Sequence, residues 1–217
     1  MKTQIKQLLE AGEFEEIAAI AARRKRALGT LVSITFDPDP LVAWRAVEAM
    51  GIAADRISRE NPDFVRSHLR RLHWLLSEES GGICRHAPQA MAEIVRRQPK
   101  LFPDYVQITL SLIDDMAEED LESGFRAAVL WAIGRLAPVT PIEVETVLPA
   151  VEACLDNPDP QVRGTAVWCL IQAGRQNRIA NRDSLKNDTG PVHLYTDGVL
   201  AETTVGELAG TRARRPV

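Results

Sequence analysis

Laid on itself, the chain says the same thing four times: DPDPLVAWRAVEAMGIAA from Asp37, SEESGGICRHAPQAMAEIV from Ser77, EEDLESGFRAAVLWAIGRL from Glu118 and DNPDPQVRGTAVWCLIQAG from Asp156. The register is set by Val42, Ile83, Phe125 and Val162, which stand 41, 42 and 37 residues apart. Behind these anchors the columns agree: Ala46, Ala87, Val129 and Ala166, then Ala49, Ala90, Ala132 and Cys169, then Met50, Met91, Ile133 and Leu170. Offsets of four, seven and eight fall on one face of a helix, so each segment predicts a helix with its apolar side fixed. Small residues along that side let two helices approach closely, while Met, Ile or Leu fills the space between neighbouring repeats. The four anchors are expected to turn inward.

Before each of these inner helices the pattern predicts an outer one: Arg26 to Phe36, Pro62 to Leu76, Pro103 to Met116 and Pro141 to Leu155. Proline suits the first turn of a helix, where its missing N–H would have no partner in any case. The turn between outer and inner helix reads Asp-Pro-Asp-Pro in the first unit and Asn-Pro-Asp-Pro in the fourth. Proline stops the first helix and Asp or Asn caps the next. The second unit departs from this, with Glu79-Ser80-Gly81-Gly82 in the same place.

The pattern D-x-D-P-x-V followed by alanine and A-L-G resembles the HEAT repeat, including the phycobilin-lyase HEAT-like subgroup, over residues 26 to 175. The run Trp74 to Ile94 and the tail LYTDGVLAETTVGELA are similar to a group of bacterial HEAT-domain proteins. The resemblance implies an all-α, right-handed α-solenoid of about four helical hairpins. It implies no single activity, because the family spans scaffolds, transport factors, lyase subunits and a DNA glycosylase group.

The two ends differ from the repeats. Residues 1–25 read as two short helices broken at Gly12, an N-terminal cap to a repeat domain spanning 1–175. Residues 176–217 read as a polar linker and then a β-hairpin, because β-prone VHLY and VLAETTV flank Thr196-Asp197-Gly198 and Asp-Gly is a strong tight-turn signal. A helical turn is expected at GELAG. The tail is expected to fold back onto the last repeat rather than to act as a separate docking hairpin.

Composition narrows the functional classes. A net charge of −4 opposes a chain built to grip phosphates, so nucleic acid is an unexpected partner despite the runs Arg23 to Arg26 and Arg212 to Arg215. No apolar run reaches the length of a membrane span, the N-terminus lacks a secretory pattern, and three cysteines without framework spacing suit a reducing compartment. The expected location is the cytoplasm, with Cys84, Cys154 and Cys169 as free thiols. The histidine-rich second unit (His68, His73, His86 beside Cys84) lacks zinc-ligand spacing, so no metal and no cofactor is expected.

Offsets two and six from the anchors turn away from the repeat core, and they hold Trp44, Arg85, Glu48, Gln89, Trp131 and Trp168. With Arg45, His86 and Arg135 beside them, these residues are expected to make an aromatic and cationic groove for a protein or peptide partner. Trp131 and Trp168 equally suit packing between adjacent repeats. Ser80, Gly81 and Gly82 before an inner helix form a candidate anion-binding turn, or merely a longer turn. The expected function is thus a non-enzymatic protein-binding or scaffold module. The repeat subgroup and the histidines suggest a lyase-like or chaperone subunit handling a cofactor or tetrapyrrole as the alternative, with DNA-base repair of the HEAT glycosylase type further behind.

Overall fold

The computed structural model describes residues 1–77, 84–115 and 123–211. The anchor Ile83, the turn Ser80-Gly81-Gly82, the acidic run at 118–120 and the basic run at 212–215 lie outside the described residues. The chain is mostly helical, with α1 Lys2–Ala11, α2 Phe14–Arg23, α3 Ala27–Ile34, α4 Pro40–Ser58, α5 Pro62–Trp74, α6 Ala87–Val95 and α7 Pro103–Asp115 in its first part. Then follow α8 Ser123–Leu136, α9 Pro141–Glu145, α10 Leu148–Ala153, α11 Pro160–Gln172, α12 Asp183–Lys186, the strands β1 Pro191–Thr196 and β2 Val199–Thr204, and α13 Val205–Gly210.

The residues form two compact units, one of Met1–Tyr105 with Tyr195–Leu200, the other of Val106–Leu194 with Ala201–Val217. In the first, α4 is the hub: α1, α2, α3, α5 and α6 all pack on it. In the second, α11 packs on α8, α10 and α13. Compactness thus divides the chain near 105.

The local chemistry explains where helices begin. Asp39 accepts from Leu41 N and Val42 N ahead of Pro40, and Asp159 accepts from Gln161 N ahead of Pro160. Each capping Asp is itself set by an Asx turn, since Asp39 N donates to Asp37 Oδ1 and Asp159 N to Asn157 Oδ1. The seam columns are buried throughout, from Ala46, Ala49 and Met50 to Ala166, Cys169 and Leu170. Val42 and Val162 are buried as expected, whereas Phe125, one turn into α8, is half-buried.

Two helices depart from the expected pattern. The outer helix expected over Pro141 to Leu155 is broken into α9, α10 and a 3-10 turn at Cys154–Asp156, because Pro149 stands inside the segment without an N–H to give. The second inner helix starts only at Ala87, with Pro88 in its first turn. Cys84, Arg85 and His86 precede it, so Arg85 sits before the helix rather than on its face.

At the C-terminus, Asp197 (φ 44°) and Gly198 (φ 86°) both take left-handed backbone, the pair that a type I′ turn requires, and join β1 to β2 as expected from Asp-Gly. Thr204 and Glu207 then make a reciprocal capping box that starts α13. The base of the hairpin lies on the last repeat: Gln161 Nε2 donates to His193 O at 2.9 Å, and His193 N donates back to Gln161 Oε1 at 2.8 Å. Gly164 is bare because a Cβ there would fall 2.3 Å from Val192 Cγ2.

Candidate functional site

Within the first unit, α4 and α6 run against each other, and Gly51 marks their closest approach: a Cβ on it would lie 2.6 Å from Glu93 O. Trp44, Arg45 and Glu48 stand on α4, and Gln89 stands on α6 with His86 just before its start. Trp44 meets His86 edge to face at 5.1 Å and 72°. On its other side the Trp44 ring lies flat on Tyr195, at 5.3 Å with 8° between planes. Tyr195 is 1% exposed, and its hydroxyl donates to Glu48 Oε2 over 2.5 Å. Burial and the Glu48 carboxylate together push that hydroxyl well above the ordinary tyrosine range.

The sequence pattern places Arg45 in the groove as a cation for a partner. The structure shows the guanidinium working on the chain's own backbone. Its Nη1 donates to Leu9 O at 2.9 Å and Glu10 O at 2.8 Å, the open end of α1, and its Nε donates to Gly198 O at 3.2 Å. A cation at a helix C-terminus satisfies carbonyls that have no partner within the helix.

The rim of this face is more open. A cavity of about 300 Å³ is lined by Thr35, Phe36, Arg85 and His86. Phe36 is 63% exposed and Arg85 is exposed, while His86 is half-buried. Burial drives the His86 imidazole down to about 4, so it is neutral at physiological pH. His86 Nδ1 and Gln89 Oε1 have no hydrogen-bond partner among the described residues, and Gln89 is 4% exposed. His68 is likewise buried and driven down to about 4, chiefly by burial and secondarily by Arg71. Among the described residues no group of His, Cys, Asp and Glu is arranged to hold a metal ion, and no helix is long and apolar enough to cross a membrane.

The expected groove residues of the second unit are placed differently. Trp131 and Trp168 stack on one another at 6.1 Å and 12° and are 2% and 5% exposed. Arg135 covers the outer side of Trp131, its Cζ 5.5 Å from the ring. Gly134 makes the room, since a Cβ there would stand 2.4 Å from Trp168 Cζ3. These two rings are spent on packing α8 against α11 and present little area to a partner. The glycine three residues after Trp131 was the sequence signal for this. No signal in the sequence pointed to Tyr195 or Phe36 as companions of Trp44.

Residues 124–173, the stretch from α8 through α11, match the HEAT-like repeat family model. That stretch is similar to a HEAT-like repeat. An uncharacterized protein of the archaeon Archaeoglobus fulgidus is 33% identical over 109 residues, 50% of this chain and 53% of that one. The chain thus spans about half the length of this curated relative. Among solved structures, it is similar to a designed armadillo repeat protein in complex with the peptide (KR)4 (TM-score 0.48, 19% identity, 85% of this chain and 91% of that one). It is also similar to an archaeal HEAT-like repeats protein from Thermococcus onnurineus (TM-score 0.38, 14% identity, 88% and 91%).

Proposed function

We propose that the chain is a non-enzymatic protein-binding module, and that the first unit receives its partner around Phe36, Arg85, His86 and Trp44. The observation that carries this reading is Phe36, a large apolar side chain left 63% exposed beside an exposed arginine at the mouth of a 300 Å³ cavity. Water gains nothing from such a ring, and aromatic side chains and arginine are the residues that dominate binding energy in protein interfaces. The fitting partner is a segment that lays an apolar side chain over Phe36. Neutral His86 adds a polar edge without a competing charge.

The test is quantitative affinity capture with the wild-type chain, a Phe36→Ala/Arg85→Ala double variant and an Ile142→Ser control at an exposed position of the other unit. The expected result is a partner retained by the wild type and the control and weakened at least about tenfold by the double variant, the effect of losing a central interface residue. Equal capture by all three removes this surface from consideration.

A further inference from the structure

The face of α4 already holds a turn, and that turn is the chain's own residues 195–200. Three contacts of different chemistry hold it: the Tyr195 ring flat on Trp44, the phenol donating to Glu48, and the Gly198 carbonyl accepting from Arg45. Together they recognise a phenol side chain and, three residues on, a backbone carbonyl. The hairpin that supplies them has only two strands. Such a hairpin is marginal alone in water, and no residue of β2 is buried, with Val199 standing out into solvent. Its tip therefore takes its order from α4.

We propose that residues 195–200 are a resident ligand of the α4 face, occupying a slot that also accepts a tyrosine-bearing turn of a protein partner, which enters by displacing them. This rests on the reading that the first unit binds a protein segment, and it names the kind of segment. Two features make the slot separable from its present occupant. Arg45 stays positioned when Gly198 leaves, because the same guanidinium grips Leu9 O and Glu10 O. The occupant also satisfies the face incompletely: His86, whose ring meets Trp44, leaves Nδ1 without a partner among the described residues. An incoming segment that donates to this atom gains a hydrogen bond that the resident tip does not make. Asp197-Gly198 favours the turn locally, so a short synthetic copy needs little reordering to take that shape on the α4 face.

A fluorescein-labelled synthetic hairpin with the sequence of residues 191–204 serves as the probe, read by anisotropy against the full chain. Self-occupancy weakens apparent affinity by the fraction of time the face is open. Tyr195→Ala, which frees the face, is expected to bind the probe at least about tenfold more tightly than the wild type, and Trp44→Ala in that background is expected to abolish the gain. Equal binding by wild type and Tyr195→Ala, or a gain that survives loss of Trp44, overturns the proposal. Because Tyr195→Ala empties a buried position, native-state hydrogen exchange of the unaltered protein supplies an independent arm. Amides of residues 195–200 are expected to exchange through a local opening, at least about tenfold less protected than those of Ala46 to Met50. Equal protection means that the tip leaves only when the unit unfolds, and overturns the proposal in a chain that needs no mutation. Probe failure with partner capture intact counts against the resident ligand alone; probe binding with no Phe36- and Arg85-dependent capture counts against the proposed function.

Discussion

The α4–α6 pair and the α8–α11 pair descend from the same repeated pattern and put it to different use. In both, an alanine-rich seam is buried and a tryptophan stands two or six residues after the anchor. In the second unit Trp131 and Trp168 close on each other, Gly134 gives them room, and the face is core. In the first, Trp44 meets His86 and Tyr195, and buried Glu48 on the same helix accepts from the Tyr195 hydroxyl. Burying polar groups costs stability unless each finds a partner, and Glu48 finds its partner in Tyr195.

The strongest way to break this contrast is to remove a ring from the packed pair. Trp168→Ala should cost about 3–5 kcal/mol, the usual loss on emptying a large aromatic site, and urea unfolding followed by hydrogen exchange within α8 and α11 should register it. A loss below about 1 kcal/mol would mean that the stacked pair is not core. Acid separates the units next. His68 and His86, both in the first unit, have folded values near 4, against an ordinary value of 6.5. The unfolded chain thus binds more protons between those limits, and stability rises with pH: it is fully present above about 6.5 and is lost as pH falls toward 4. The loss should reach about 3 kcal/mol per histidine. Exchange protection in α4 and α5 should therefore fall by more than that in α8 and α11 over this range, and a parallel decline would erase the distinction. The smallest effect sharpens the role of the polar face. Tyr195→Phe keeps the ring on Trp44 but leaves Glu48 without its donor, and should cost about 1–2 kcal/mol in thermal or urea unfolding. A neutral result would show that stacking alone holds the tip.

How much of this was legible in advance depends on how far each feature reaches along the chain. The N-terminal pair of helices, the break at Gly12, the inner helices behind Asp-Pro and the Asp197-Gly198 hairpin all follow from residues within a few positions of one another. Even the departures are local in origin: Pro149 breaks an outer helix and Pro88 delays an inner one. The candidate site was legible only in part. Trp44, Glu48 and His86 do come together, but Arg45 is drawn into holding α1 and the hairpin tip, and the tryptophans of the second unit are packed away.

The sequence by itself determined the helix periods, their caps, the seam and the turn, because each is settled by dihedral preferences and by hydrogen bonds among near neighbours. Tertiary structure alone decided which tryptophans are covered and what lies on α4. The Tyr195–Glu48 hydrogen bond joins residues 147 positions apart, and no periodicity reaches across such a distance. A side chain's exposure is a property of what packs on it, and the residue that packs on Trp44 comes from the other end of the chain.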